Sequence, residues 1–200
     1  MELKEKLDQY EQITGMSELA RRYFVMNTFD GTLTIFGVLL GSFLAQISEP
    51  ATIIMLGMAG GAAIFVSGIW GTYLSESAER KKSKNELERV MLKNLDRTKI
   101  SEAESFATYY VSFINGISPL LAILLIISPF FAASAQIIDI ETAYYISFAL
   151  FFVVFASIGI FLGRLSKESL MLSALKSLAV GFICAIIIYT ISALTAAPVH

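Results

Sequence analysis

The feature that most constrains this chain is a set of five long apolar runs, which alternate with polar segments. A helix needs about 20 apolar residues to cross a bilayer, and each run reaches that length. Only 16% of the 200 residues are charged, whereas a soluble domain has about 25%. The sequence therefore predicts an all-α integral membrane protein with five transmembrane helices. The predicted spans cover about 23–47, 51–75, 106–131, 142–163 and 170–195.

The cationic residues predict the orientation of these spans. All 15 Lys and Arg residues lie in residues 1–22, 76–104 and 164–176, and the loops between these segments contain none. Because cytoplasmic loops are enriched in Lys and Arg, this alternation predicts a cytoplasmic N-terminus and a C-terminus on the outside. The expected localisation is a multi-pass position in the membrane, and it is the cell membrane if the protein is prokaryotic.

Two polar regions complete the predicted domain organisation. Residues 1–22 carry sparse apolar positions and are expected to form an amphipathic segment at the membrane surface. Residues 23–200 are expected to form the five-helix transmembrane domain. Within it, residues 76–104 form a short cytosolic helical insert. The helix of the second span should extend into this insert, because residues 76–104 contain no glycine or proline.

Asp30 is the only charged residue between Tyr23 and Ser48. A carboxylate inside a membrane span costs about 3 kcal/mol or more, so Asp30 is a candidate functional residue. At a spacing of three and four it shares a helical stripe with polar and small residues, namely Tyr23, Asn27, Thr34, Gly37 and Gly41. The stripe fits a plain helix seam with a hydrogen-bonded carboxyl. It also fits a polar transport path lined by Tyr23, Asn27, Asp30 and Thr34, which we favour because a seam needs no carboxylate.

Glycines in the first two spans predict close helix packing. Gly37 and Gly41 form a GxxxG pair in span 1, and Gly57 and Gly61 form another in span 2. Such pairs let two backbones approach closely, so spans 1 and 2 are expected to pack against each other. Gly68 continues the small-residue surface of span 2 and is a further packing candidate.

Five glutamates near the inner ends of spans 2 and 3 are candidate metal ligands, together with Asp30. Carboxylates one helical turn apart suit Mg²⁺, Mn²⁺ or Fe²⁺. The alternative is a solvated helix with ion pairs such as Glu76–Arg80 and Glu79–Lys82. The five glutamates are Glu76, Glu79, Glu86, Glu102 and Glu104.

The sequence contains few residues that could act in catalysis. Its single histidine, His200, is the last residue. Its single cysteine, Cys184, excludes an internal disulfide. Asp30-Gly31 also opens the motif of CDP-alcohol phosphotransferases, but the later Ala-Arg and paired Asp residues of that motif are absent. We therefore expect no enzymatic activity and no cofactor. Nucleic-acid binding is not expected either, because membrane orientation explains the basic residues 80–99.

Several segments together resemble one transporter family. They are Asp30-Gly31 followed by Gly37 and Gly41, the run 71–75 (GTYLS), the run 116–121 (GISPLL), and residues 173–176 (SALK) followed by Gly181 and Tyr189. In their order and spacing the chain resembles the vacuolar iron transporter family, which includes the yeast vacuolar iron/manganese importer and plant nodulin-like transporters. The likeness covers most of residues 21–195.

The resemblance implies a homodimer that contacts through span 1 and carries Fe²⁺ or Mn²⁺ out of the cytosol in exchange for protons. It places Asp30 on the ion path and Glu79 among the metal-collecting glutamates. In the family a Met ligand falls near Gly68 of this chain and a Glu ligand near Gly60, and the cytosolic insert is often longer. These differences leave open an alternative, a structural or regulatory membrane protein that keeps the fold without transport.

Overall fold

A computed structural model describes residues 2–92, 94–95 and 98–196 of the chain. Lys93 and Arg97 of the predicted basic insert, and residues 197–200 at the end of the predicted transmembrane domain, lie outside these ranges. Every regular element in the described ranges is an α-helix, which confirms the all-α prediction. The helices are α1 (Glu2–Thr14), α2 (Met16–Leu44), α3 (Pro50–Met91), α4 (Lys99–Ser134), α5 (Ile140–Ser166) and α6 (Leu170–Ala196).

Five of these helices, α2 to α6, are long and apolar enough to cross a membrane. This finding confirms the five predicted spans as helices, and the protein is a multi-pass integral membrane protein. Helix α3 starts at Pro50 and continues without a break past Ser75 to Met91. Helix α4 contains both Pro119 and Pro129 and ends only at Ser134.

Gly15 separates α1 from α2. Its φ of 59° is left-handed, and this conformation suits glycine at the end of a helix. The Gly15 N–H donates to the Glu11 carbonyl over 2.8 Å. The Glu11 carboxylate in turn accepts from the backbone N–H of Ser17 over 2.9 Å. Helix α2 thus begins at Met16, well before the apolar run that starts at Tyr23.

The chain divides into two compact units. Unit 1 consists of residues 1–27 and 64–118, and unit 2 of residues 28–63 and 119–200. In unit 1, α1 and the start of α2 pack on the first half of α4. The centre of this contact is a cluster of six buried residues, Tyr10, Met16, Ala20, Ala103, Ala107 and Val111. Helix α1 is therefore held against α4 by tertiary packing.

An aromatic cluster occupies the core of unit 2. Phe36 of α2 stacks on Phe151 of α5 with ring centroids 4.0 Å apart, and Phe29 lies 4.5 Å from Phe155. Helices α5 and α6 form a close pair, because a Cβ atom on Gly159 would lie 2.7 Å from the Ala174 Cα. These contacts are apolar and dense, as expected of helices that pack in a bilayer by van der Waals contact.

Candidate functional site

Asp30 and Thr34 lie on one exposed stripe of α2 in unit 2. The Thr34 hydroxyl donates to the Asp30 backbone carbonyl over 2.8 Å and not to the Asp30 carboxylate. Gly37 and Gly41 continue this stripe. A Cβ on Gly37 would meet only the Ile188 side chain at 3.6 Å, and a Cβ on Gly41 would meet nothing within 4 Å. The four residues define the α2 stripe, an outward-facing strip of polar and small groups within an apolar helix.

Gly31 holds the neighbouring face of α2 against α4. A Cβ atom at Gly31 would lie 2.6 Å from the Pro119 Cβ and 2.8 Å from the Pro119 carbonyl oxygen. Real Cβ atoms do not approach other atoms this closely, so only glycine fits here. The Asp-Gly pair therefore combines two roles. Gly31 permits the helix contact, and Asp30, about 100° further round the helix, points away from it.

In unit 1, Asn27 belongs to a hydrogen-bond network between three helices. Its side-chain amide donates to the Tyr23 carbonyl over 2.9 Å and to the Asn115 side-chain oxygen on α4. Asn115 is buried and donates to the Gly68 carbonyl over 3.0 Å and to the Thr72 hydroxyl. The network ties α2, α3 and α4 together. Sequence reasoning missed Asn115, although a carboxamide within an apolar run was the signal that could have found it.

Tyr23 and Glu76 form a second polar contact in unit 1. The Tyr23 hydroxyl donates to Glu76 Oε1 over 3.0 Å. Glu76 Oε2 lies 3.5 Å from Arg80 Nε, and both side chains are only 15% exposed. Glu79, by contrast, is 72% exposed and pairs loosely with Lys82 at 3.9 Å. Both ion pairs of the solvated-helix alternative are thus present in the structure.

The remaining glutamates occupy different surroundings. Glu86 is exposed on α3, Glu102 accepts from the Tyr10 hydroxyl over 3.3 Å, and half-buried Glu104 lines a cavity beside Arg80. Within the described ranges, no three His, Cys, Asp or Glu side chains come together as a group that could hold a metal ion. The five glutamates belong to unit 1, and Asp30 belongs to unit 2.

The glycines of α3 pack mainly on α4. In unit 2, a Cβ on Gly57 would lie 3.0 Å from the Ile127 side chain and a Cβ on Gly61 would lie 3.1 Å from that of Leu120. In unit 1, a Cβ on Gly68 would lie 3.0 Å from the Gly116 Cα, so a larger residue at position 68 would require the α4 backbone to move by a few tenths of an ångström. A Cβ on Gly60 would meet nothing within 4 Å.

Comparison with known proteins agrees with this arrangement of motifs. Residues 21–113 match the VIT family, and this range contains Asp30 and all five candidate glutamates. An uncharacterized protein of Methanocaldococcus jannaschii is 30% identical over 174 residues, which cover 84% of this chain and 87% of the relative. The second match extends the similarity beyond the family-matched range.

Proposed function

The chain belongs to the VIT family, the vacuolar iron transporters, and from this premise we propose that it carries Fe²⁺ or Mn²⁺ out of the cytosol in exchange for protons. The observation that carries the proposal is the position of Asp30. Its carboxylate is exposed on the α2 stripe, within a helix long and apolar enough to span a membrane. Oxygen ligands of this kind suit both metals.

The proposed direction rests on the charge asymmetry of the loops. The segments rich in Lys and Arg should face the cytosol, so the glutamates of 76–104 would meet cytosolic metal. In this orientation Asp30, eight residues beyond Arg22 or about 12 Å along the helix, would lie in the inner half of the bilayer. Metal would pass from the glutamates to Asp30 and leave on the outer side.

We propose that a second copy of the chain covers the α2 stripe. A carboxylate that faces lipid costs about 3 kcal/mol or more, so an uncovered stripe is unfavourable. Gly37 and Gly41 leave room for another backbone, because a Cβ on either would meet at most the Ile188 side chain. Two copies would place two Asp30 carboxylates on one path and supply more ligands than one chain does.

Competition at Asp30 provides the simplest coupling. The carboxylate binds either a proton or a divalent cation, because protonation removes the charge that attracts the metal. A proton from the outer side would therefore displace the metal, and release of that proton to the cytosol would restore the site. This exchange needs no other titratable group within the span.

Asp30→Asn tests the transport proposal in proteoliposomes loaded with a metal-sensitive dye. We expect Fe²⁺ and Mn²⁺ flux to fall to the protein-free background, with and without a pH gradient, while the mass of the solubilised dimer stays unchanged. Glu49→Gln is the matched control, since Glu49 is an exposed carboxylate in a short loop, and its flux should equal that of the wild type. Undiminished flux by Asp30→Asn would remove Asp30 from the mechanism.

A structural or regulatory role is the second candidate. Two observations favour it: the described residues contain no group of three acidic, His or Cys side chains that could hold a metal ion, and Gly68 packs against Gly116 where the family resemblance expects a ligand. Titration calorimetry with Mn²⁺ on the solubilised protein distinguishes the two. Neither binding nor flux is the result expected of this second function.

A further inference from the structure

A cavity of about 250 Å³ lies between α3 and α4 in unit 1. Three cationic side chains of α3 line it, those of Arg80, Lys81 and Lys84, and Glu104 of α4 is the one acidic residue among its described lining. Arg80 also pairs with Glu76, and these three cations and two carboxylates leave a net positive charge that suits an anion. None of the metal-transport steps proposed above uses these three cations.

The polar wall of this cavity offers groups suited to a phosphate. The Arg80 Nε atom is buried and makes no hydrogen bond to a described residue, although it forms an ion pair with Glu76 Oε2 at 3.5 Å. A buried N–H without an acceptor is costly, and an anionic oxygen would satisfy it. The hydroxyls of Ser77 and Ser101 line the same space and can donate to phosphate oxygens.

An apolar groove of about 490 Å³ adjoins the basic cavity. The two share Tyr73 and Tyr109, whose rings stack with centroids 5.4 Å apart. Beyond them the groove is lined by Ile69, Trp70 and Phe113, with Ser112 also on its wall. Tyr and Trp are typical of the membrane–water boundary. The apolar run of α3 ends near Leu74, so we expect the cavity to lie on the polar side of the membrane boundary and the groove on the hydrocarbon side.

We propose that the cavity and groove together bind one anionic phospholipid. Its phosphate would lie among Arg80, Lys81 and Lys84, its glycerol backbone near Tyr73 and Tyr109, and one acyl chain along the groove. A soluble phosphate fits only the cavity, whereas a phospholipid matches the whole order of basic, aromatic and apolar surfaces. Basic pockets between transmembrane helices commonly bind anionic headgroups. The site shares no residue with the α2 stripe, although its lining includes Glu104, one of the glutamates proposed to meet metal.

Trp70 is the only tryptophan in the chain, so its fluorescence reports on the groove. The test reconstitutes the full chain in phosphatidylcholine vesicles that contain a low mole fraction of a lipid with brominated acyl chains, which quench tryptophan at contact. We expect brominated phosphatidylglycerol to quench Trp70 more than brominated phosphatidylcholine does. Lys81→Gln combined with Lys84→Gln should reduce this preference by roughly fivefold for each cation removed.

Lys82→Gln is the matched control, because Lys82 neighbours Lys81 on α3 but does not line the cavity. It should keep the wild-type preference. Equal quenching by the two lipids, or an equal loss of preference in Lys82→Gln, would overturn the proposal. Calorimetry with inorganic phosphate separates the two sources of the anion. Tight phosphate binding without any lipid preference would assign the cavity to a soluble anion and contradict a phospholipid site.

Discussion

The contact between Gly31 and Pro119 makes the stability of unit 2 depend on the absence of a single carbon atom. We predict that Gly31→Ala destabilises the protein, although alanine favours helices more than glycine does. The added Cβ would lie 2.6 Å from the Pro119 Cβ, 2.7 Å from its Cα and 2.8 Å from its carbonyl oxygen. Two of these three atoms belong to the backbone of α4, so no side-chain rotation relieves the overlap.

The expected magnitude is the difference between two effects. Forcing an extra carbon atom into a packed interior costs about 1–3 kcal/mol, and backbone overlap places Gly31→Ala at the upper end of that range. Replacing glycine by alanine within a helix stabilises the folded protein by about 1 kcal/mol. The net loss is therefore about 2 kcal/mol. For a chain of this size it corresponds to a decrease in Tm of roughly 4–8 °C.

Thermal unfolding of the detergent-solubilised protein, followed by circular dichroism, measures this difference. Gly71→Ala is the matched control, because Gly71 is also helical and a Cβ there would meet nothing within 4 Å. It should raise Tm slightly or leave it unchanged. If both variants shift Tm in the same direction by similar amounts, the close approach of Gly31 to Pro119 is refuted.

Three further predictions concern polar contacts. Asn115→Leu should lower stability by about 1–3 kcal/mol because the Asn27 amide loses its acceptor, and a double-mutant cycle in denaturant should show that Asn27→Leu adds little to it. Tyr23→Phe should cost about 1.5 kcal/mol in the same assay, since Glu76 loses a donor at 3.0 Å, and an unchanged unfolding midpoint would contradict this contact. Asp139 caps α5 by accepting from the backbone N–H of Thr142, and this bond, aided by the Thr142 hydroxyl, lowers the pKa of the carboxyl below its ordinary 3.8. Its stabilisation should be complete above pH 3.8 and lost as pH falls through the lowered pKa, so wild-type Tm should decrease more steeply there than that of Asp139→Asn, which keeps a capping side chain without a charge.

Much of the fold could be predicted from the sequence because membrane insertion depends on properties that add up along the chain. Hydropathy over about 20 residues identifies a span, whatever that span later contacts. The unbroken α3 was predictable for a similar local reason, since no glycine or proline lies between Ser75 and Met91. The start of α2 was harder to predict from the sequence. Gly15 and the hydrogen bonds between Glu11 and Ser17 set it within a polar segment.

Only part of the candidate site could be predicted from the sequence. A lone carboxylate in an apolar run identifies Asp30 as a candidate without any knowledge of its neighbours. The sequence predicted only one of the two packing partners of the GxxxG pair in α3. The predicted packing against span 1 holds in part, because a Cβ on Gly57 would lie 3.2 Å from the Ile35 side chain of α2, but Gly57 also faces Ile127 of α4 and Gly61 faces Leu120 and Ile123 of α4. A small residue shows that something comes close and leaves the identity of the neighbour open.

The sequence by itself determined that this is a membrane protein of five apolar helices with one isolated carboxylate in its first span. These properties follow from composition and local order, which the bilayer selects segment by segment. The tertiary structure alone decided that Gly31 meets Pro119, that Asn27 meets Asn115, and that three cations of α3 share a cavity with α4. These pairs join residues of different helices. Which faces of two helices meet depends on shape complementarity over their whole length, and no short stretch of sequence records it.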